Sequence, residues 1–232
     1  MSMSALFRGG FSGIYHRLWA LSGSMQQGPK IFIIGFNKTA TSSLHQFFER
    51  NRLPGVHWDH SHLVQCFERN IRDGKRLLSG GRVQARNFVR PSAYEDRTVF
   101  SDMTNPRTDR DAKDFYKRLD SDYPGSKFIL NTRDAESWIR SRFKHEQGHF
   151  VRKQLKFYGL DDSGTGREKL KSIYRKMHEE HHRDVLDHFR DREDDLVVFD
   201  ILKDDIQKVV DFFEGIYVLK TRRYPHVGRT RR

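Results

Sequence analysis

Residues Lys30 to Phe48, KIFIIGFNKTATSSLHQFF, constrain the fold more than any other stretch of this chain. The apolar run Ile31-Phe32-Ile33-Ile34 reads as a buried strand. Gly35 follows, and after it Asn37-Lys38-Thr39-Ala40-Thr41-Ser42-Ser43, and then Leu44, Phe47 and Phe48 at the spacing of one helix face. A strand that turns at once into a helix entered through small hydroxyl residues makes an anion site. The helix N-terminus leaves backbone N–H groups unpaired and carries the positive end of the helix dipole. Lys38 adds a full positive charge, and Thr39, Thr41, Ser42 and Ser43 add hydroxyls. The segment predicts a cradle for phosphate or sulfate at a strand end.

The rest of the chain repeats the alternation. Pro54-Gly55 marks a turn into a short strand, Val56-His57-Trp58, followed by a helix from His60 to Leu78 that ends before Gly80-Gly81. A basic, irregular stretch runs from Arg82 to Asp96. Val99 to Asp102 reads as a third strand, Asp111 to Leu119 as a helix, and Lys127 to Asn131 as a fourth strand with a helix from Ala135. Lys144 to Gly166 carries no clear period; Arg167 to Arg190 reads as a long charged helix, Leu196 to Phe199 as a fifth strand and Asp204 to Phe213 as a last helix. Alternating strands and helices predict an α/β fold, a central, mostly parallel sheet with helices on both faces. Residues 1–28 read as a lead-in and 29–232 as one domain, a length that supports a substantial core. Ligands in such sheets bind beyond the carboxyl ends of the strands.

A nucleoside triphosphatase loop reads G-x-x-x-x-G-K-[ST]. Lys38-Thr39 fits its end, but Asn37 stands where the second glycine belongs, and Gly35 is too close to Lys38. The segment instead resembles the 5′-phosphosulfate loop of sulfotransferases that use 3′-phosphoadenosine 5′-phosphosulfate (PAPS), roughly P-K-[ST]-G-T-[TS]. Asn37-Lys38-Thr39-Ala40-Thr41-Ser42 matches it in order, with Asn37 for proline and Ala40 for glycine. Ala40 suits the loop if its backbone stays right-handed. Ser43 replaces the tryptophan of many cytosolic members, so adenine stacking must come from elsewhere. A second match lies downstream. The family closes a strand with an arginine and places a serine eight residues on, and Arg133 and Ser141 have that separation. A planar guanidinium grips a phosphate through paired, charged hydrogen bonds.

The resemblance implies a P-loop-like sulfotransferase fold and transfer of a sulfuryl group from PAPS to an acceptor hydroxyl or amine, on a carbohydrate or small molecule. It implies that Lys38 neutralises charge on the departing bridging oxygen. Thr39, Ala40, Thr41, Ser42 and Ser43 would line the 5′ side, with Thr41 and Ser42 on the phosphate, and Arg133 and Ser141 would hold the 3′-phosphate. The product is 3′-phosphoadenosine 5′-phosphate, and no metal is required. An acceptor hydroxyl also needs a base. His57, Asp59, His60 and His62 cluster in VHWDHSHL; His57 and Asp59 share a face if the strand continues, one as base and the other orienting it. Asp102, at the end of the third strand, is the rival. Family members often close over the cofactor with a late basic loop, and by that resemblance the basic run from Lys220 to Arg229 makes Arg222, Arg223 or Arg229 further cofactor candidates; a solvated basic tail is the alternative reading.

The net charge of +12 suits an anionic nucleotide and an anionic acceptor. No recognition helix or RNA-binding signature points to nucleic acid. Cys66 is the only cysteine, which argues for a reducing, cytoplasmic setting, and Phe11 to Leu21 is too short and too polar to span a bilayer. His178-Glu179-Glu180-His181-His182 satisfies H-E-x-x-H, but its charged surroundings and lack of a third ligand favour a packed helix with solvated histidines over a zinc site. Two other functions remain: a kinase using ATP and magnesium, and a non-catalytic nucleotide- or polyanion-binding module.

Overall fold

The computed structural model describes residues 25–26, 28–83 and 92–225. Strand β1 (Ile31–Ile33) sits at the centre of a sheet and divides its side chains between two cores. Ile31 and Ile33 pack with Leu44, Phe47, Phe48, Ile129 and Phe213 on one face. Phe32 and Ile34 pack with Phe67, Phe100, Phe115, Phe128 and Phe189 on the other. An unbroken apolar run is what a strand covered on both faces needs. The Phe32 ring lies 5.4 Å from those of both Phe100 and Phe128, and those two residues are its partners across the ladder. Burying one such ring contributes about 1.5–3 kcal/mol, so a register slip that exchanged the faces would forfeit several rings at once.

The elements continue as α1 (Thr41–Arg50), β2 (Gly55–His57), α2 (His62–Arg72), β3 (Val99–Ser101), α3 (Tyr116–Asp122), β4 (Lys127–Thr132), α4 (Ala135–Phe143), α5 (His149–Phe157), α6 (Gly164–His188), β5 (Leu196–Asp200) and α7 (Gln207–Phe212). The sheet has the order β2-β3-β1-β4-β5, and every pair is parallel. Helix α1 leaves β1 toward β2, whereas the connections after β3 and β4 run toward the opposite edge. The end of β1 is therefore where the crevice of an open α/β sheet forms. A third apolar cluster, Phe36, Trp138, Ile139, Val151, Leu155, Leu170 and Tyr174, packs α4, α5 and α6 around the segment that follows β1.

Several boundaries move, each for a local reason. The second strand stops at His57, because Trp58, Asp59, His60 and Ser61 all have positive φ. Helix α2 ends at Arg72 rather than Leu78; left-handed Gly74 turns the chain, and the Asn70 amide donates to the carbonyls of Leu77 at 2.8 Å and Ser79 at 2.9 Å. The stretch without a clear period contains α5, whose buried Phe150, Val151, Gln154 and Leu155 make one face. Helix α6 begins at Gly164, three residues before Arg167, because the Ser163 hydroxyl caps it by accepting from the Gly166 amide at 3.1 Å. The lead-in up to residue 24, Phe88 of the basic stretch and Arg229 lie outside the described residues.

Candidate active site

The turn after β1 is held from β4. Asn131, fully buried, accepts from the Gly35 amide through Oδ1 at 2.8 Å and donates through Nδ2 to the Thr39 carbonyl and hydroxyl, both at 2.7 Å. Gly35 is needed by this close approach, since a Cβ there would lie 1.9 Å from the Asn131 carbonyl oxygen. The Thr39 hydroxyl donates to the Phe36 carbonyl, and Trp138 Nε1 donates to the Asn37 carbonyl at 3.0 Å. Thr39 therefore spends its hydroxyl inside the loop. Thr39, Thr41 and Ser43 are buried, while Lys38, Ala40 and Ser42 alternate with them as the accessible positions.

Lys38 and Ala40 adopt left-handed backbone, with φ of 68° and 62°. Ala40 thus departs from the right-handed conformation expected of it and takes up the geometry that a glycine would adopt without strain. Its left-handed turn is the N-cap of α1, and no side chain caps that helix end. An uncapped helix start of this kind is where an anion binds.

Arg133, the first residue after β4, stands beside this loop. Its Nη1 lies 3.5 Å from the Lys38 carbonyl oxygen, and its Nη2 donates to the Ser137 hydroxyl one turn into α4. Helix α4 is capped by Asp134, whose carboxylate accepts from the Ser137 amide at 2.8 Å. The Arg133 Nε is buried and has no partner among the described residues, a donor that an anion would satisfy. Burial lowers the guanidinium pKa, the direction of a cation held short of water. Ser141 is half-buried one turn beyond Ser137 on the same side of α4. Ser137 is the hydroxyl that sequence reasoning passed over; its i, i+4 spacing from Arg133 was the available signal.

His57, the last residue of β2, faces the same loop. Its Nε2 lies 3.0 Å from Ser42 Oγ and 3.8 Å from Asp102 Oδ2, and its Nδ1 lies 2.9 Å from Ser101 Oγ. Ser101 is fully buried at the end of β3, opposite His57 in the parallel register. The His45 ring of α1 stacks on His57 at 5.2 Å. Asp59 goes elsewhere. Past the left-handed turn its Oδ2 accepts from the Tyr94 hydroxyl at 2.6 Å, and burial, then this bond, raises the tyrosine pKa. His60 is exposed, its ring tilted against that of Trp58 with centroids 4.7 Å apart. The expected pairing of His57 with Asp59 is not formed, because β2 ends before it; Ser101 of β3 and Asp102, the residue after it, take that place. His145, outside the sequence candidates, is close enough for Lys38 to affect it, since burial and then the Lys38 charge lower its pKa.

Arg222 and Arg223 lie on a short turn, Thr221–Arg223, at the far end of α1. Arg223 donates to the Arg50 carbonyl, and the neighbouring Tyr224 ring meets Phe47 edge-on at 5.8 Å. Helix α1 rises roughly 1.5 Å per residue, so its length separates Arg223 from Lys38. The structure does not bring these two arginines to the loop.

The H-E-x-x-H histidines are not solvated. His178 Nε2 donates to the Arg133 carbonyl at 3.2 Å, His181 Nε2 to the Ile34 carbonyl at 2.8 Å, and His182 Nδ1 to the His178 carbonyl at 2.7 Å. Burial is the main cause that lowers all three pKa values, those of His178 and His181 to about 4. Among the described residues no group of three histidine, cysteine or acidic side chains is arranged to hold a metal, and no helix is long and apolar enough to cross a membrane.

Comparison with known proteins adds to this geometry. The family model for the sulfotransferase domain matches residues 30–223. A crystal structure of a sulfotransferase from Alicyclobacillus acidocaldarius aligns with 84% of this chain and 85% of its own, at 18% identity and a TM-score of 0.46. No curated protein sequence matches the chain.

Proposed function

The chain belongs to the sulfotransferase family, and from that premise we propose that it moves a sulfuryl group from PAPS to an acceptor hydroxyl or amine. The observation that carries the donor assignment is the approach of Arg133 Nη1 to within 3.5 Å of the Lys38 carbonyl oxygen. Two cationic residues, after the adjacent strands β1 and β4, stand side by side at the same end of the sheet. That suits a donor with phosphate at both ends better than a single-ended triphosphate. The unpaired Arg133 Nε and the uncapped start of α1 are donors that such a ligand would satisfy.

The bound donor supplies an activated sulfuryl group with a good leaving group. Transfer forms a bond from the acceptor oxygen to sulfur and breaks the bond from sulfur to the bridging oxygen. Lys38 and the first amides of α1 stabilise the charge that grows on that bridging oxygen. Ser42 lines the same side, while Arg133, with Ser137 and Ser141, holds the 3′-phosphate. His57 Nε2 takes the acceptor proton. That role takes the tautomer with hydrogen on Nδ1, 2.9 Å from the Ser101 hydroxyl, which leaves the Nε2 lone pair toward the loop, and Asp102 at 3.8 Å favours the imidazolium that forms. Asp59, committed to Tyr94, is left a structural part.

The test is thermal stabilisation by 3′-phosphoadenosine 5′-phosphate against ATP with magnesium, followed by labelled-sulfate transfer over acceptor classes. A larger shift with the bisphosphate, lost in Arg133→Ala, and transfer lost in Lys38→Ala, agree with the reading. A larger shift with ATP and magnesium replaces it with a kinase; a bisphosphate shift with no transfer to any acceptor replaces it with a binding module.

A further inference from the structure

Arg133 can grip a phosphate only if its backbone holds still where the sheet stops supporting it. The last ladder bond of β4 runs from the Ile201 amide to the Thr132 carbonyl, at 2.9 Å. The next carbonyl, that of Arg133, turns to α6 and accepts from His178 Nε2–H at 3.2 Å. The Thr132 hydroxyl lies 2.5 Å from His182 Nε2, one turn further along α6. His182 gives its Nδ1 proton to the His178 carbonyl at 2.7 Å, so its Nε2 carries a lone pair and the threonine donates. The two rings stack with centroids 4.0 Å apart. Trp138, which holds the Asn37 carbonyl on the loop side, packs on His178 at 5.3 Å.

We infer that His178, backed by His182, is a positioning residue for the donor site, fixing the Arg133 backbone so that its guanidinium meets the 3′-phosphate. This rests on the donor reading above. Consecutive residues at the strand end are held by a histidine pair spaced one turn apart, through a carbonyl and a hydroxyl. The outer histidines of the motif that imitates a zinc signature each commit one ring nitrogen, Nε2, to that task. The side chain is fixed at its far end by Ser137 and at its near end by α6, and neither contact uses the Nε left for a ligand.

The experiment compares binding of 3′-phosphoadenosine 5′-phosphate and adenosine 5′-phosphate by calorimetry in wild type, Arg133→Ala, His178→Ala, His178→Gln and Thr132→Val. Glutamine keeps an N–H for the Arg133 carbonyl. Loss of a positioned, charge-assisted contact is expected to lower the preference for the bisphosphate about tenfold in His178→Ala, while adenosine 5′-phosphate binding changes less than about twofold. His178→Gln restores most of the preference, and Thr132→Val loses part of it. If His178→Ala does not fold, the glutamine and Thr132→Val variants decide the question. A preference unchanged in the folded His178 and Thr132 variants, or an equal fall for both ligands, overturns the positioning role while leaving the donor assignment intact. Absence of any preference in wild type removes the donor assignment and the positioning role together.

Discussion

Ala40 and Asn131 bear most directly on the loop. A left-handed alanine costs about 1–2 kcal/mol, whereas glycine forfeits about 0.4–1 kcal/mol through a freer unfolded chain. The first effect wins, so Ala40→Gly is expected to stabilise the protein by roughly 0.5–1 kcal/mol, read as a raised urea midpoint at unchanged slope. Asn131→Leu has the opposite sign. It strips partners from the buried Gly35 amide and Thr39 carbonyl, and at about 1–3 kcal/mol per orphaned group it should cost several kcal/mol and abolish nucleotide binding. The loop residues were legible because their chemistry is local. Asn131 was visible only as a polar residue closing an apolar strand, and nothing in its neighbours says that it reaches across to β1. The left-handed state of Ala40 was likewise illegible, because alanine seldom takes it.

At the level of elements, α6 shows what periodicity leaves out. Its charge pattern identified a long helix, but a pattern of faces does not say what each face touches. His178 and His181 have folded pKa values of about 4, below the ordinary histidine value of about 6.5 in an unfolded chain. The unfolded chain therefore binds more protons between these limits. Stability is complete above the unfolded value and is lost as pH falls through 6.5 toward 4. Each fully buried histidine steepens that loss by at most about 1.4 kcal/mol per pH unit, and half-buried His178 by less. The urea midpoint should fall between pH 6.5 and 5, and His181→Leu should flatten the dependence while lowering the midpoint at pH 7. A slope unchanged by His181→Leu would remove this histidine as its cause. Strand β2 teaches the same lesson in reverse: its existence was legible, its end was not, and that end decides that Ser101 and Asp102, not Asp59, flank His57.

For the whole molecule, the alternation of strands and helices identified a parallel α/β sheet, but the order β2-β3-β1-β4-β5 was not legible. Non-consecutive strands become neighbours, and no residue announces which edge a crossover will join. The loop after β1 and Arg133, some ninety-odd residues apart, become adjacent only through that order. Charge acts on the same scale. With a net charge of +12, association with a bisphosphate nucleotide should be steered from a distance. Raising salt from about 0.02 to 0.3 M shortens the screening length severalfold, and the association rate should fall several-fold while dissociation changes little. A salt-independent association rate in stopped-flow measurements would mean that the surplus charge lies away from the crevice.

The clamp of Asn131 on the turn after β1 joins two things that many enzymes keep apart. The turn takes much of its support from the neighbouring strand. Asn131 is itself a β4 residue paired with Phe199 of β5, so melting that opens β4 releases the turn as well. Nucleotide-binding competence and the far-ultraviolet dichroism of the sheet should therefore vanish together along a denaturant series, as a single event with one midpoint.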